Sequence, residues 1–171
     1  GLEKSPVIPS DIASTAHASD FVYNTTHDKL SNWTTAYSRN FYEENGFFLK
    51  KGGLEICRKD DDERWEELKR KVESGKSFGT KVRLISAAEA KEKFPLLDED
   101  SIRGAMWDPD AGLVVPRSQD VVSFAVEKAK ENGSLSTYAN TPATGFEIEN
   151  GRVTGVKTDK GTIKTEKVVI T

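Results

Sequence analysis

Cysteine is nearly missing from this sequence, in which Cys57 is the only one among 171 residues. No internal disulfide can form, and such a composition is typical of proteins from a reducing, intracellular compartment. An excess of basic residues is missing too, since 25 Lys and Arg residues stand against 28 Asp and Glu residues. The sequence therefore predicts no nucleic-acid partner.

Long apolar runs are also lacking. Segments such as Val168-Val169-Ile170 are far shorter than the roughly 20 residues that a membrane-spanning helix requires. Nothing at the start of the sequence resembles a signal peptide. We therefore expect a cytoplasmic protein that has no membrane partner.

Common catalytic and metal-binding motifs are absent: the sequence has no glycine-lysine phosphate loop, no CxxC pair, no HExxH and no GxSxG. Residues 108–112 begin like a calcium loop, but Leu113 and Gln119 stand where such a loop needs Gly and Glu. The segment predicts a tight turn instead. The acidic run 60–63 is typical of a helix N terminus, so no metal site is expected.

Two helices are predicted in the first half of the chain. Residues 28–44 have Thr26, or His27 and Asp28, available for the N-terminal cap and Gly46 as a stop. Their apolar side chains recur at helical spacing and form one stripe: Leu30, Trp33, Tyr37 and Phe41. Residues 60–74 place three apolar side chains on one face: Trp65, Leu68 and Val72. We expect Trp65 in the core.

Two further helices are predicted downstream. The sequence Ser86-Ala87-Ala88-Glu89 is a capping box that opens a short helix, and Pro95 closes it. The other helix follows Ser118 and stops at Gly133. Its expected buried face consists of Val122, Ala125, Val126 and Ala129.

The remaining segments have a β pattern. Gly52-Gly53 separates two apolar segments and predicts a hairpin or a bulged pair of strands. The tail predicts strands over 144–149, 152–158, 162–165 and 167–171, with a turn at Asn150-Gly151. Helices and β pairs alternate without regular βαβ units, so the predicted fold class is α+β.

His17 is the one residue whose surroundings suggest chemistry. It is a loop histidine between small residues, which would let a large ring approach closely. The alternative is an ordinary solvated loop histidine.

The segment Ser14-Thr15-Ala16-His17-Ala18 resembles the Ser-Thr-x-His-Ala segment of dimethylglycine and sarcosine dehydrogenases and of dimethylglycine oxidase. In that family the histidine is bonded covalently to the 8α carbon of FAD. Further stretches occur in the family's order: 52–55, 94–98, 104–112 and 150–156. The resemblance extends over nearly the whole chain.

The resemblance implies an FAD-dependent, D-amino-acid-oxidase-like enzyme that oxidises N-methyl amines to an iminium by hydride transfer to the flavin. The implied FAD-binding residues are Glu3, Ser14, Thr15, His17 and Ala143. Glu3 would accept hydrogen bonds from the adenosine ribose, Ser14 and Thr15 would lie against the cofactor, and Ala143 would lie near the adenine. The family's catalytic histidine and tyrosine would fall outside this sequence.

One departure from the family concerns the loop after His17. Ser19-Asp20 stands where relatives often have Gly. A Cβ at either position matters if the backbone there needs a positive φ.

The resemblance also divides the chain. Residues 1–27 would be a partial FAD-binding segment, 28–139 a portion of the substrate domain, and 140–171 a truncated, β-rich return to the FAD-binding fold. The partner implied is a small-molecule amine. Two alternatives stay open: a sibling amine oxidoreductase with noncovalent FAD, and a stand-alone binding module without flavin.

We expect the 171-residue chain alone to bind FAD weakly and to be inactive, because the glycine-rich pyrophosphate loop would precede Gly1 and a closing Ala-Gly turn would follow Thr171. Titration of the chain into FAD, followed by flavin fluorescence, tests this. Riboflavin, which lacks the pyrophosphate and the adenosine, should behave like FAD. Saturable quenching by FAD alone at low micromolar concentration would contradict the expectation.

Overall fold

The computed structural model describes residues 1–24 and 28–171. The chain forms two compact units, a central unit of residues 19–117 and a terminal unit that combines residues 1–18 with 118–171. Helices and small antiparallel sheets make up both, so the predicted α+β class is confirmed. In the described part of the chain, no helix is long and apolar enough to cross a membrane.

The central unit contains six strands and three helices within its described residues. In chain order they are β1 (Phe21–Val22), α1 (Lys29–Glu44), β2 (Phe48–Lys50), β3 (Gly53–Arg58), α2 (Asp62–Ser77), β4 (Arg83–Ser86), α3 (Ala87–Lys93), β5 (Ile102–Asp108) and β6 (Gly112–Val114). The strands form two antiparallel sheets, ordered β1-β6-β2 and β3-β5-β4.

The predicted hairpin at Gly52-Gly53 is wrong. Strand β2 pairs with β6 and strand β3 pairs with β5, so neither pairs with the other. Gly52 has φ +79° and its N–H donates to the carbonyl of Ala111 at 2.7 Å. The two segments 48–58 and 102–114 thus run side by side and change sheet together at Gly52. Each strand therefore pairs with a segment that is distant in the sequence and not with its neighbour in the chain.

Strand β5 lies between two apolar clusters, because successive side chains of a strand point to opposite faces. One cluster joins β5 to α2: Cys57, Leu68, Val72, Val82 and Met106. The other joins it to α3: Ile85, Ala90, Ile102 and Ala105. The predicted core position of Trp65 needs correction, since its ring is half-buried and packs against the first cluster with Arg103 over it.

The predicted helix caps are mostly confirmed. The N-cap of α1 is Asp28, which accepts from the Ser31 N–H at 2.8 Å, whereas Thr26 and His27 lie outside the described residues. Asp61 caps α2, whose first turn is acidic. The capping box of α3 is present between Ser86 and Glu89.

The apolar stripe of α1 exists but remains largely exposed within the structure. Trp33 and Tyr37 stack at 5.5 Å between ring centroids, yet they are 60% and 67% exposed. Helical periodicity specifies that such residues share a face and does not specify what covers it.

The terminal unit contains a 3₁₀ turn (Ser14–His17), α4 (Ser118–Glu131) and three strands in one antiparallel sheet: β7 (Ala143–Glu149), β8 (Arg152–Thr158) and β9 (Gly161–Lys164). The predicted turn at Asn150-Gly151 joins β7 to β8. Both residues have positive φ, +53° and +77°, as a two-residue hairpin turn requires. Gly133, with φ +75°, follows the end of α4 as predicted.

Two predictions for the terminal unit are wrong. Residues 167–171 form no strand, and Val169 and Ile170 are exposed, because no neighbouring strand among the described residues pairs with them. The expected buried face of α4 is only partly covered: Val122, Val126 and Ala129 are half-buried, and Ala125 is exposed.

Leu68 offers the clearest test of the central unit, because its side chain is fully buried (0% exposed) in the cluster between α2 and β5. We expect Leu68→Ala to lower the free energy of unfolding by about 3 to 5 kcal/mol, since it removes buried methyl groups and leaves a cavity. The control is Leu96→Ala, at a residue 86% exposed, which should cost less than about 0.5 kcal/mol. Equal losses in denaturant unfolding would contradict this packing.

Candidate functional site

Glu3 is held at the start of the terminal unit by backbone pairing. Its N–H donates to the carbonyl of Tyr138 at 3.0 Å, and its own carbonyl accepts from the N–H of Thr141 at 2.9 Å. Thr141 lies two residues before Ala143, the first residue of β7. The structure therefore brings together two of the predicted cofactor positions, Glu3 and the segment that leads to Ala143.

The carboxylate of Glu3 is oriented by the residue two positions later. It accepts a hydrogen bond from the backbone N–H of Ser5 at 2.8 Å. That bond favours the charged form and is the main reason that the pKa of Glu3 lies below its usual value. Glu3 is therefore an oriented, charged acceptor at neutral pH.

The other predicted cofactor residues lie on the 3₁₀ turn, alongside α4. Hydrogen bonds from Ala16 N–H to Ala13 O at 2.9 Å and from Ala18 N–H to Thr15 O at 3.3 Å shape the turn. Thr15 is half-buried, whereas Ser14 and His17 are exposed. The His17 imidazole is thus accessible and lies between two alanines.

Asp20 follows this turn and belongs to the central unit. Its φ is +59°, so the position that relatives often fill with Gly does adopt the left-handed conformation. The strain of a side chain there is offset by two contacts. The Asp20 carboxylate accepts from Arg117 Nε at 2.7 Å, and its carbonyl accepts from the N–H of Val114 at 2.7 Å.

A cavity of about 350 Å³ lies within the central unit. Its lining combines aromatic, apolar and charged side chains: Phe21, Tyr23, Asn24, Gly53, Leu54, Glu55, Arg64, Lys71, Met106 and Asp108. Pockets of this size and mixed lining are typical of small-molecule sites.

One end of the cavity contains a buried carboxylate. Asp108, at the end of β5, is only 3% exposed. It accepts from the backbone N–H of Asn24 at 2.7 Å, from the Asn24 side-chain amide at 3.0 Å and from the N–H of Asp110 at 3.0 Å. The predicted turn at 109–110 is confirmed. Sequence reasoning missed the role of Asp108, because Asn24 lies 84 residues away.

The other end is lined by an ion-pair network that joins α2 to β3. Glu55 accepts from Arg64 and from Lys71, the latter at 2.6 Å. Glu67 pairs with the same two cations at 2.6 and 3.2 Å. The hydrogen bond from Arg64 is the main reason that the pKa of Glu67 is lowered, and the bond to Glu67 likewise raises the pKa of Arg64. Two cations and two carboxylates leave this end neutral.

Metal-binding side chains do not gather anywhere in residues 1–24 and 28–171: no three His, Cys, Asp or Glu residues there are placed to share an ion. Cys57 is buried, and desolvation is the main reason that the pKa of its thiol is raised. The side chains that these sites offer are carboxylates, cations, aromatic rings and the exposed imidazole.

Comparison with known proteins assigns the family. The family described as FAD dependent oxidoreductase matches residues 4–171. The chain belongs to the FAD-dependent oxidoreductase family. This confirms the resemblance to FAD-dependent enzymes found in the sequence, and the individual cofactor residues stay predictions.

Members of the FAD-dependent oxidoreductase family resemble the chain over most of its length. Human mitochondrial sarcosine dehydrogenase is 29% identical over 82% of this chain and 16% of its own length. The mouse mitochondrial pyruvate dehydrogenase phosphatase regulatory subunit is 29% identical over 86% of the chain and 16% of its own length. The chain thus spans about a sixth of these relatives.

A solved structure resembles the chain over most of its length. L-proline dehydrogenase from P. horikoshii superposes with a TM-score of 0.74 and 35% sequence identity, over 85% of this chain and 38% of that one. The antiparallel sheets and helices described above therefore also occur in that dehydrogenase.

Glu3 gives a pH-dependent prediction. Because its pKa is lowered from 4.5 in the folded chain, it should contribute stability above about pH 4.5 that is lost as the pH falls through the lowered value. We expect Glu3→Gln to be less stable than the wild type at neutral pH and equally stable at about pH 2. Glu92→Gln, at an exposed position of α3, is the control and should show no such convergence. Urea unfolding across this pH range measures both, and a constant difference for Glu3→Gln would contradict the prediction.

Proposed function

We propose that this chain is part of an FAD-dependent enzyme that oxidises a small secondary or tertiary amine, of the dimethylglycine or sarcosine type, to an iminium. Two named relatives act on sarcosine and on L-proline. Both substrates are secondary amines with a carboxylate on the neighbouring carbon. That shared chemistry, together with the Ser-Thr-x-His-Ala segment at residues 14–18, is the observation that carries the proposal.

The residues of the terminal unit suit FAD. His17 is exposed on a turn whose neighbours, Ala16 and Ala18, are small enough for a planar ring to approach. We assign His17 as the point of covalent attachment, at the 8α carbon of the flavin. When bound, FAD supplies the electron-accepting chemistry.

The remaining cofactor residues have supporting roles. The charged carboxylate of Glu3 would accept hydrogen bonds from the ribose hydroxyls, as an acidic residue does in dinucleotide-binding folds. Ser14 and Thr15 would contact the cofactor beside His17, and Ala143 would bring backbone near the adenine. In this assignment none of these residues transfers a proton.

Two alternatives make different predictions about the flavin. A sibling amine oxidoreductase would hold FAD without a covalent bond and would release it on acid denaturation. A binding or regulatory module would hold no flavin at all. The second alternative is favoured by one observation, the similarity to a relative named as a regulatory subunit.

The decisive measurement is peptide mass in the full-length protein. We expect the flavin to stay attached after acid denaturation and the proteolytic peptide with His17 to carry its mass. His27, the only other histidine, provides the internal control, and its peptide should be unmodified. His17→Ala should leave the fold intact, release the flavin on denaturation and slow amine oxidation.

Each outcome selects one hypothesis. Bound FAD with an unmodified His17 peptide would contradict covalent attachment and leave the noncovalent enzyme. Absence of any flavin from the purified full-length protein, even after addition of FAD, would favour the regulatory module and overturn the proposed function.

A further inference from the structure

The Asp108 end of the cavity brings an aromatic ring and a carboxylate to the same place. Gly53 is directly opposite Asp108 across the β3/β5 pair. A Cβ on Gly53 would lie 2.6 Å from the ring of Phe21. The ring therefore covers the backbone of Gly53, next to the buried Asp108, and only glycine allows it to come so close.

The charge of Asp108 has no cationic partner among the described residues. Its oxygens accept from N–H groups of Asn24 and Asp110, which satisfy the hydrogen bonds without cancelling the charge. The Arg39 guanidinium contacts Asn24 instead, since its Nη1 donates to the side-chain oxygen of Asn24 at 3.2 Å. Arg64 and Lys71, the two cations of the lining, both pair with Glu55 and Glu67. Among the described lining residues, Asp108 is therefore the carboxylate that takes part in no ion pair.

Aromatic faces border the same end. Phe21 and Tyr23 stack with their ring centroids 5.6 Å apart. They are 40% and 53% exposed, so part of each ring is free to contact a ligand. The face of an aromatic ring carries negative electrostatic potential and attracts cations, above all alkylammonium groups with a low cost of desolvation.

We propose that this cavity binds a small organic ammonium ion, with the cation against Phe21 and Tyr23 and within the field of Asp108. The volume of about 350 Å³ accommodates a small amine. The choice of an amine as the ligand rests on the proposed function. The choice of the residues that bind it rests on the cavity alone. Binding in this cavity depends on the positive charge of the ligand and not only on its shape.

Trimethylglycine and 3,3-dimethylbutanoate test the charge requirement, because they share a shape and a carboxylate and differ in having a quaternary nitrogen or a carbon. Each compound is titrated into the 171-residue chain without FAD. The measurement is the NMR chemical shift of the Asn24 backbone amide, which donates to Asp108. We expect trimethylglycine to bind at least about fivefold more tightly than 3,3-dimethylbutanoate, which lacks the positive charge. Equal affinities, or no saturable shift of Asn24 with either compound, would overturn the proposal.

A matched pair of variants tests whether the aromatic rings that line the cavity contribute to binding. Phe21→Leu should weaken trimethylglycine binding at least about threefold, because it removes a π face and keeps an apolar side chain. Phe146→Leu is the control: Phe146, on β7, is 38% exposed, close to the exposure of Phe21, and is not among the residues that line the cavity. It should leave binding unchanged. If Phe21→Leu proves unfolded, Tyr23→Leu serves in its place, and unchanged binding in a folded variant would contradict the cavity assignment.

The two proposals fail separately. If the full-length protein oxidises amines while the chain shows no preference for trimethylglycine, the cavity assignment is wrong and the proposed function stands. If the preference is present and the full-length protein has no flavin, the cavity assignment stands and the proposed function is wrong.

Discussion

The antiparallel pairing of residues 48–58 with residues 102–114 is the constraint on which the central unit depends. It makes β5 the middle strand of its sheet, so adjacent residues of β5 belong to two separate apolar clusters. Met106 packs toward α2 and Ala105 packs toward α3. Both helices are positioned by this strand, because burial of their apolar faces requires a surface on each side of it.

The same pairing brings together residues that line the cavity. It places Asp108 opposite Gly53, where the missing side chain admits the ring of Phe21. The N–H groups of Asn24 then make burial of the carboxylate tolerable, since an ionised group without such donors would be costly to bury. The N–H donors satisfy the hydrogen bonds of the carboxylate but do not neutralise its negative charge. We therefore connect this cavity with a cationic ligand.

The residues that we propose for FAD binding have a different origin. The turn at residues 14–18 is shaped by hydrogen bonds between residues three apart, and the carboxylate of Glu3 is oriented by Ser5. Local interactions of this kind depend on short stretches of sequence. Residues 14–18 also carry the resemblance to sarcosine and dimethylglycine dehydrogenases, and family membership over residues 4–171 agrees with that resemblance.

The sequence by itself indicated the family and the α+β class. It also determined the capping box at Ser86, because that cap depends on residues within a few positions of one another. Only the tertiary structure decided that Gly52-Gly53 is a corner between sheets, that the stripe of α1 stays exposed and that residues 167–171 form no strand. Strand pairing and burial depend on a partner distant in the chain, and periodicity records which residues share a face without recording what that face meets. For the same reason Asp108 and Asn24, 84 residues apart, became a site only when the chain folded.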